Sequence, residues 1–273
     1  AWNERVRALG LEPALADSAR ASLLVLALLV DKRSEVGAQQ MQAIVQTYGA
    51  PAAAEVQALH ATVQRLPPGV RLPLLDQAMP ALRKLAPAAG DRLLMLAHTL
   101  ILADGRMTLA EFLLFTVLRR RIGTDARRPV PLRYRSVREV AEDAARVLSL
   151  LAHLRDPGDP ARALARGRAA LPEVPLALVA VDALALDALT AALDRLNQLV
   201  PLAKPAFIDA CAAVALGGGD WRAASALRSV CAALDAPLPP GLLEAEAATP
   251  RELHSASAGS AGGFDAAASR GSP

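Results

Sequence analysis

The chain has 273 residues, room for one large domain or two small ones, and 53% of them are hydrophobic. Aromatic residues make up only 3%, and Ala and Leu dominate the rest, which favours helix and leaves little material for a sheet. The net charge of +3 and a pI near 9.2 are mildly basic. High-GC codon usage explains an Arg-rich excess of that size, so an anionic partner requires a clustered patch.

Apolar residues recur at spacings of three and four, which predicts an all-α fold. In chain order the pattern predicts helices near 13–30, 34–48, 51–65, 70–85, 90–103 and 108–122. A second set follows near 136–154, 160–170, 175–199, 202–216 and 220–235. Breakers separate them: Gly49 and Pro51, Pro67-Pro68-Gly69, Pro87, Pro157-Gly158, Pro201 and Gly217-Gly218-Gly219. These divide the chain into an N-terminal helical region (1–123), an Arg/Pro-rich linker (124–135) and a second helical region (136–245). The Ala/Ser/Gly composition of 246–273 predicts a disordered tail.

No stretch reads as a membrane span. Leu23 to Val30 is less than half the ~20 residues needed. Leu176 to Leu193 carries Asp182 and Asp187, each costing ~2.5–3.5 kcal/mol near a helix centre in lipid. There is no secretory signal, and a first residue of Ala rather than Met reads as a piece of something longer.

A weak internal repeat runs through both regions. A shift of 73 residues lays Asp104 on Asp31 and the run Met95–Ala103 on Ser22–Val30. A shift of 114 lays Ala103-Asp104-Gly105 on Gly217-Gly218-Gly219, Leu93 on Phe207, Leu100 on Val214 and Leu113 on Leu227. Three helix–turn–helix hairpins are therefore expected. Only the central copy keeps two carboxylates, since Glu111 corresponds to Ala38 in the first copy and Ser225 in the third.

The turn between the helices of that copy carries the most chemistry. Gly105 can take φ > 0 and close the first helix, while Thr108 and Glu111 have the spacing of a capping box. Asp104 and Glu111 could alternatively hold a divalent cation, although the spacing is not that of an EF-hand. His98, on a strongly apolar helix, reads as a buried, hydrogen-bonded histidine; His60 and His153 read as surface residues. Cys211 and Cys231 read as buried apolar residues, as in a reducing compartment. The densest basic stretch is Arg119, Arg120, Arg121, Arg127, Arg128, Arg133, Arg135 and Arg138, opposed locally by Asp125 alone. It reads either as a solvated linker or as a site for anionic lipid headgroups. Tyr134 is its only aromatic, which leaves no stacking platform for nucleic acid.

Ala103-Asp104-Gly105-Arg106 followed by Glu111-Phe112 resembles the hairpin of the tellurite-resistance TerB-like helical modules. The longer context resembles the C-terminal region of bacterial membrane zinc metallopeptidases of the HtpX and CAAX-prenyl-protease type. That context comprises Leu72-Pro73-Leu74-Leu75-Asp76, Pro80-Ala81-Leu82-Arg83-Lys84-Leu85, the Asp-Gly-Arg turn and Cys231 to Pro240, covering roughly 72–240. The resemblance implies an array of antiparallel helical hairpins with TerB-like modules at its centre. The family's H-E-x-x-H zinc helix is absent, since His60, His98, His153 and His254 have no histidine partner at i+4. The resemblance thus implies a non-catalytic regulatory or protein-interaction domain, with zinc, peptidase and membrane segments N-terminal to Ala1 in the same parent chain. It implies a cytoplasmic position, membrane-associated through those segments. The alternative it leaves open is a TerB-like stress-response protein binding a divalent metal at the Asp104 turn. An enzyme whose site is invisible in the sequence is a third.

Overall fold

Runs of Ala and Leu at helical spacing fold as expected for an all-α protein. The computed structural model describes residues 9–66, 71–216 and 221–247. Among these there is no β-ladder, only an isolated parallel bridge between Tyr134 and Leu199. The chain divides after Arg128 into two compact units.

The first unit contains α1 (Glu12–Ala16), α2 (Ser18–Leu29), α3 (Ser34–Tyr48), α4 (Ala50–Val63), α5 (Arg71–Leu82), α6 (Pro87–Ile101) and α7 (Leu109–Arg121). The apolar run predicted as one helix over 13–30 is split at Asp17, whose carboxylate accepts from the Arg20 amide and caps α2. Every residue of α2 from Ala21 to Leu29 is buried. It is the central helix of the unit, packed against α1, α4, α5 and α6. Helix α3 lies principally on α4 and α6. Pro87 does not break a helix but starts one, at the first position of α6, where its missing N–H would be unpaired anyway.

The α6–α7 hairpin is closed at its open end by two glycines. A Cβ on Gly90 would lie 2.7 Å from the Gly123 amide nitrogen, so only glycine permits this approach. Beside it, Asp91 accepts hydrogen bonds from the Thr124 amide at 2.8 Å and hydroxyl at 2.5 Å.

The second unit contains α8 (Ala141–Arg155), α9 (Pro160–Ala170), α10 (Leu186–Leu196), α11 (Lys204–Ala215), α12 (Trp221–Ala233) and α13 (Leu242–Ala247). Helix α8 packs on α9, α10, α11 and α12. It begins after a 3-10 turn at Val137–Val140, where Ser136 and Glu139 form a capping box. Asp143, 5% exposed, is held by Arg195 through two hydrogen bonds of 2.8 and 2.5 Å. Leu93, Phe207, Leu100, Val214, Leu113 and Leu227, equated by the repeat, are all buried. Helices α11 and α12 pack together, but the turn at 217–219 lies outside the described residues, as does the tail from 248.

One predicted helix is corrected. Over 175–199 only Leu186–Leu196 is α-helical, and the residues before it run as an irregular strap with a 3-10 turn at Val181–Ala183. Pro175 and the β-branched Val174, Val179 and Val181 weaken helix there. Neighbouring side chains satisfy the strap backbone instead: Ser149 Oγ accepts from Val179 N at 2.9 Å, and Arg168 Nε donates to Leu176 O at 2.8 Å. His153 Nε2 lies 2.9 Å from Val179 O.

Candidate functional site

The two turns that the repeat equates meet at one end of the first unit. In the second turn Gly105 has φ 73°, the left-handed conformation that ends the 3-10 extension of α6. Thr108 then caps α7: its Oγ1 accepts from the Glu111 amide at 3.3 Å, and Glu111 Oε2 accepts from the Thr108 amide at 2.8 Å. Glu111 Oε2 also accepts from the Thr108 hydroxyl at 2.8 Å. The Glu111 carboxylate is therefore engaged in the cap.

Asp104 is engaged elsewhere. Its Oδ1 accepts from the Arg106 amide at 3.1 Å, and its Oδ2 accepts from Arg33 Nη2. Arg33 also binds Asp31, through Nη2 to Oδ2 at 2.7 Å and Nε to Oδ1 at 3.0 Å. One guanidinium thus joins the two carboxylates that the repeat superimposes. The local geometry repeats too, because Asp31 Oδ1 accepts from the Arg33 amide at 2.7 Å as Asp104 Oδ1 does from Arg106. Both turns share an Asp-x-Arg pattern, a signal present in the sequence and missed by a reading centred on carboxylates.

Beneath the ion pair lies Gln40, 2% exposed. Its Oε1 accepts from the Asp31 amide at 2.7 Å, and its Nε2 donates to Leu100 O at 2.7 Å and Leu29 O at 3.3 Å. Helix C-termini leave carbonyls without partners, and Gln40 serves one near the end of each of α2 and α6.

The electrostatics follow from this crowding. The Arg33 hydrogen bonds hold the Asp31 carboxyl below its ordinary range. Burial pushes the Glu111 carboxyl up, against the pull of Thr108, and the nearby Asp104 and Asp31 charges add to the rise. Burial pulls the Arg71 guanidinium down, opposed by the Glu111 charge. Three carboxylates and two guanidiniums therefore share this corner. Among the described residues no group of three or more His, Cys, Asp or Glu side chains converges as metal ligands.

Next to the Asp31–Arg33 turn, α3 and α4 enclose a cleft of about 640 Å³. Val30, Met41, Val45 and Ala53 supply its apolar wall, and Lys32 and His60 stand among its polar lining.

The histidine expectations are reversed. His98 is exposed and lies against Phe115, with ring centroids 5.6 Å apart, because it faces outward from the buried stripe of α6. His60 and His153 are the partly buried pair that meet backbone carbonyls, His60 Nδ1 lying 3.0 Å from Ala27 O. His254 lies outside the described residues. Cys211 and Cys231 are free and buried; burial raises both thiols, that of Cys231 to about 12, which leaves them in the protonated, unreactive form.

The arginine run divides between the units. Arg119, Arg120 and Arg121 are half-buried in the last turn of α7, where their charge suits the helix dipole. Arg127 donates to Leu85 O at 3.2 Å, and Arg128 pairs with Asp125 at 3.1 Å. Arg133, Arg135 and Arg138 belong to the second unit and are exposed.

No protein-family model, curated protein or solved structure matches the chain.

Proposed function

We propose that this chain is a non-catalytic regulatory or protein-interaction domain of a membrane-associated zinc metallopeptidase. The observation that carries the reading is the state of the turn carboxylates. Asp104 pairs with Arg33 and Glu111 accepts hydrogen bonds within the α7 cap, so both carboxylates are taken up by contacts within the fold. The cleft beside them, walled by small and apolar side chains, suits a partner's apolar surface. The Asp-Gly-Arg hairpin and its flanking segments add the resemblance to the C-terminal region of HtpX-like and CAAX-protease-like enzymes. On this reading the zinc site and membrane segments are upstream in the parent chain, and the domain works on the cytoplasmic side.

The test is made on the parent protein. It should contain an H-E-x-x-H helix beside hydrophobic spans, and deleting this region should leave bound zinc unchanged while altering substrate cleavage. The isolated chain should not cleave casein. Chelator-sensitive cleavage by the chain alone would overturn the reading.

A TerB-like metal-binding stress protein is the second reading. The observation behind it is that Asp31 and Asp104 share the Arg33 guanidinium, which sets two carboxylates side by side at this corner. Calorimetric titration with calcium, magnesium and manganese decides it. Binding abolished by Asp104→Asn supports this reading, and absence of heat in the wild type rejects it.

A further inference from the structure

Helices α3 and α4 present a face almost empty of charge. Residues 36–63 contain no Asp, Lys or Arg, and Glu55 is their only acidic residue, in a chain that is 21% charged. Glu55 is paired with Arg20 at 3.5 Å, and His60 meets the Ala27 carbonyl at 3.0 Å. The exposed side chains are small or neutral. On α4 they include Ala50, Ala54, Gln57 and Ala61, at i, i+4, i+7 and i+11, so they form one stripe down the helix. On α3 Ala38, Gln42 and Val45 follow at i, i+4 and i+7, with Val45 42% exposed. The two stripes are neighbours, because Ala38 and Val45 line the same cleft as Ala50, Ala54 and Gln57.

Single exposed apolar side chains require no explanation. A two-helix face without charge does, because soluble surfaces carry charges of both signs throughout, and charge is depleted where another protein covers the surface. Exposed charges resume at the edges of the sequence segment, at Lys32, Arg33 and Glu35 before it and Arg65 after it. A neutral centre with a charged rim is the anatomy of a protein–protein interface.

The chemistry of the face selects its occupant. It offers no cation to a nucleic acid or an anionic lipid, and no exposed Leu or aromatic side chain to enter a bilayer. A charged partner helix would bury its charges here without partners. A neutral face can meet itself, since a two-fold pair sets the same patch against itself and has no like charges to bring together. The size also suits a pair. Helices of 15 and 14 residues run about 20 Å and are each about 10 Å across, so side by side they offer about 400 Å² of flat outline. Side-chain relief makes the accessible area larger than the outline, so two such faces together reach the ~1,000 Å² that a specific interface needs.

We propose that the α3–α4 face is where two copies of this chain meet about a two-fold axis, with α3 of each copy laid over the cleft of the other. This rests on the reading of the chain as a protein-interaction domain and names a second copy as its partner. Small side chains on both sides let the helices approach closely.

Analytical ultracentrifugation of the full chain reads the pairing directly. The mass is expected to rise with concentration from one 28.5 kDa chain toward twice that. Ala54→Glu and Ala54→Lys each set a charge on the face and should weaken the dimer about tenfold or more, and Val45→Glu should do the same from α3. An equimolar mixture of the two Ala54 variants should pair more tightly than either alone, since opposite charges then share the face. Ala54 and Val45 are exposed, so helical circular dichroism should not change. Met95→Glu, on the 72% exposed side chain of α6, should pair like the wild type.

A single-chain mass at every concentration up to millimolar overturns the proposal. So does a dimer that survives Ala54→Glu, Ala54→Lys and Val45→Glu, a mixture no tighter than its components, or a dimer lost through Met95→Glu instead. Deletion of this region from the parent protein reads the interaction-domain role separately. Altered cleavage beside a monomeric chain would remove the dimer and leave that role standing, and unchanged cleavage beside a dimer would do the reverse.

Discussion

The turn Asp31-Lys32-Arg33 and the turn Asp104-Gly105-Arg106 start from the same Asp-x-Arg pattern and the same carboxylate-to-amide hydrogen bond. They are then completed in opposite ways. The second is finished locally, by a left-handed glycine and a capping box within seven residues. The first has neither: Arg33, at the N-cap of α3, makes no side-chain cap, and the turn is held by Gln40 and by the bridge to Asp104. A hairpin turn can thus be stabilised by its own residues or by contacts from far along the chain, and the two kinds fail differently.

The largest effect should come from breaking the buried long-range contact, that of Gln40. Gln40→Leu removes the partner of the part-buried Asp31 amide and of the Leu29 carbonyl, and one of the two donors to the Leu100 carbonyl. At ~1–3 kcal/mol for each group left unsatisfied, a loss of about 3 kcal/mol is expected in urea denaturation. A loss under about 1 kcal/mol would mean that water replaces the amide and that the first turn is not held by Gln40.

The local turn should give smaller losses. A Cβ on Gly105 meets nothing within 4 Å, so Gly105→Val acts through backbone strain alone and should cost ~1–2 kcal/mol. Thr108→Ala removes a cap and should cost ~0.5–2 kcal/mol. The two should add almost fully if the glycine and the cap work independently, and a double variant measured by the same unfolding midpoint tests this.

Acidity separates the turns by sign. Burial raises Glu111 in the folded protein above 4.5, so the folded state keeps a proton that the unfolded chain releases. Stability from this group therefore falls as pH climbs through the window above 4.5, and the penalty is complete above the folded value. Asp31 is lowered below 3.8; its contribution is complete above that value and is lost as pH falls through the folded one. Glu111→Gln should accordingly gain on the wild type as pH rises from 4.5 toward neutrality, whereas the deficit of Asp31→Asn should vanish in acid. Parallel pH curves for wild type and Glu111→Gln would remove burial as the cause.

The smallest effect is expected at Arg33→Gln. Its side chain is 61% exposed, so its two ion pairs are screened, and the loss in stability should shrink further with added salt. An effect independent of salt would point to packing of the side-chain stem instead.

Much of this was legible in the sequence, and the dividing line is distance along the chain. The all-α class follows from Ala and Leu at helical spacing, and the bounds of α3 and α9 can be read from the apolar pattern and its breakers. Gly105, Thr108 and Glu111 lie close enough together for their geometry to be read from spacing alone. The Arg33–Asp104 bridge spans 71 residues, and no local pattern announces it. The strap before α10 was illegible for a related reason. Its residues read as helix on composition, and the side chains that hydrogen-bond it in place, Ser149 and Arg168, belong to α8 and α9.

The contact between Gly90 and Gly123 bears on how this sequence can drift. A glycine has no atoms to give up, so an added methyl group at one position cannot be offset by trimming the other. Gly123 has its own restriction, since at φ 85° a Cβ there would also press on the Asp91 carboxylate at 2.6 Å. Restored clearance then requires a change in chain length between Ile122 and Asp125 that carries the loop away from α6. Descendants of this sequence should therefore keep both glycines together, or lose either one only in company with an insertion or deletion at that corner.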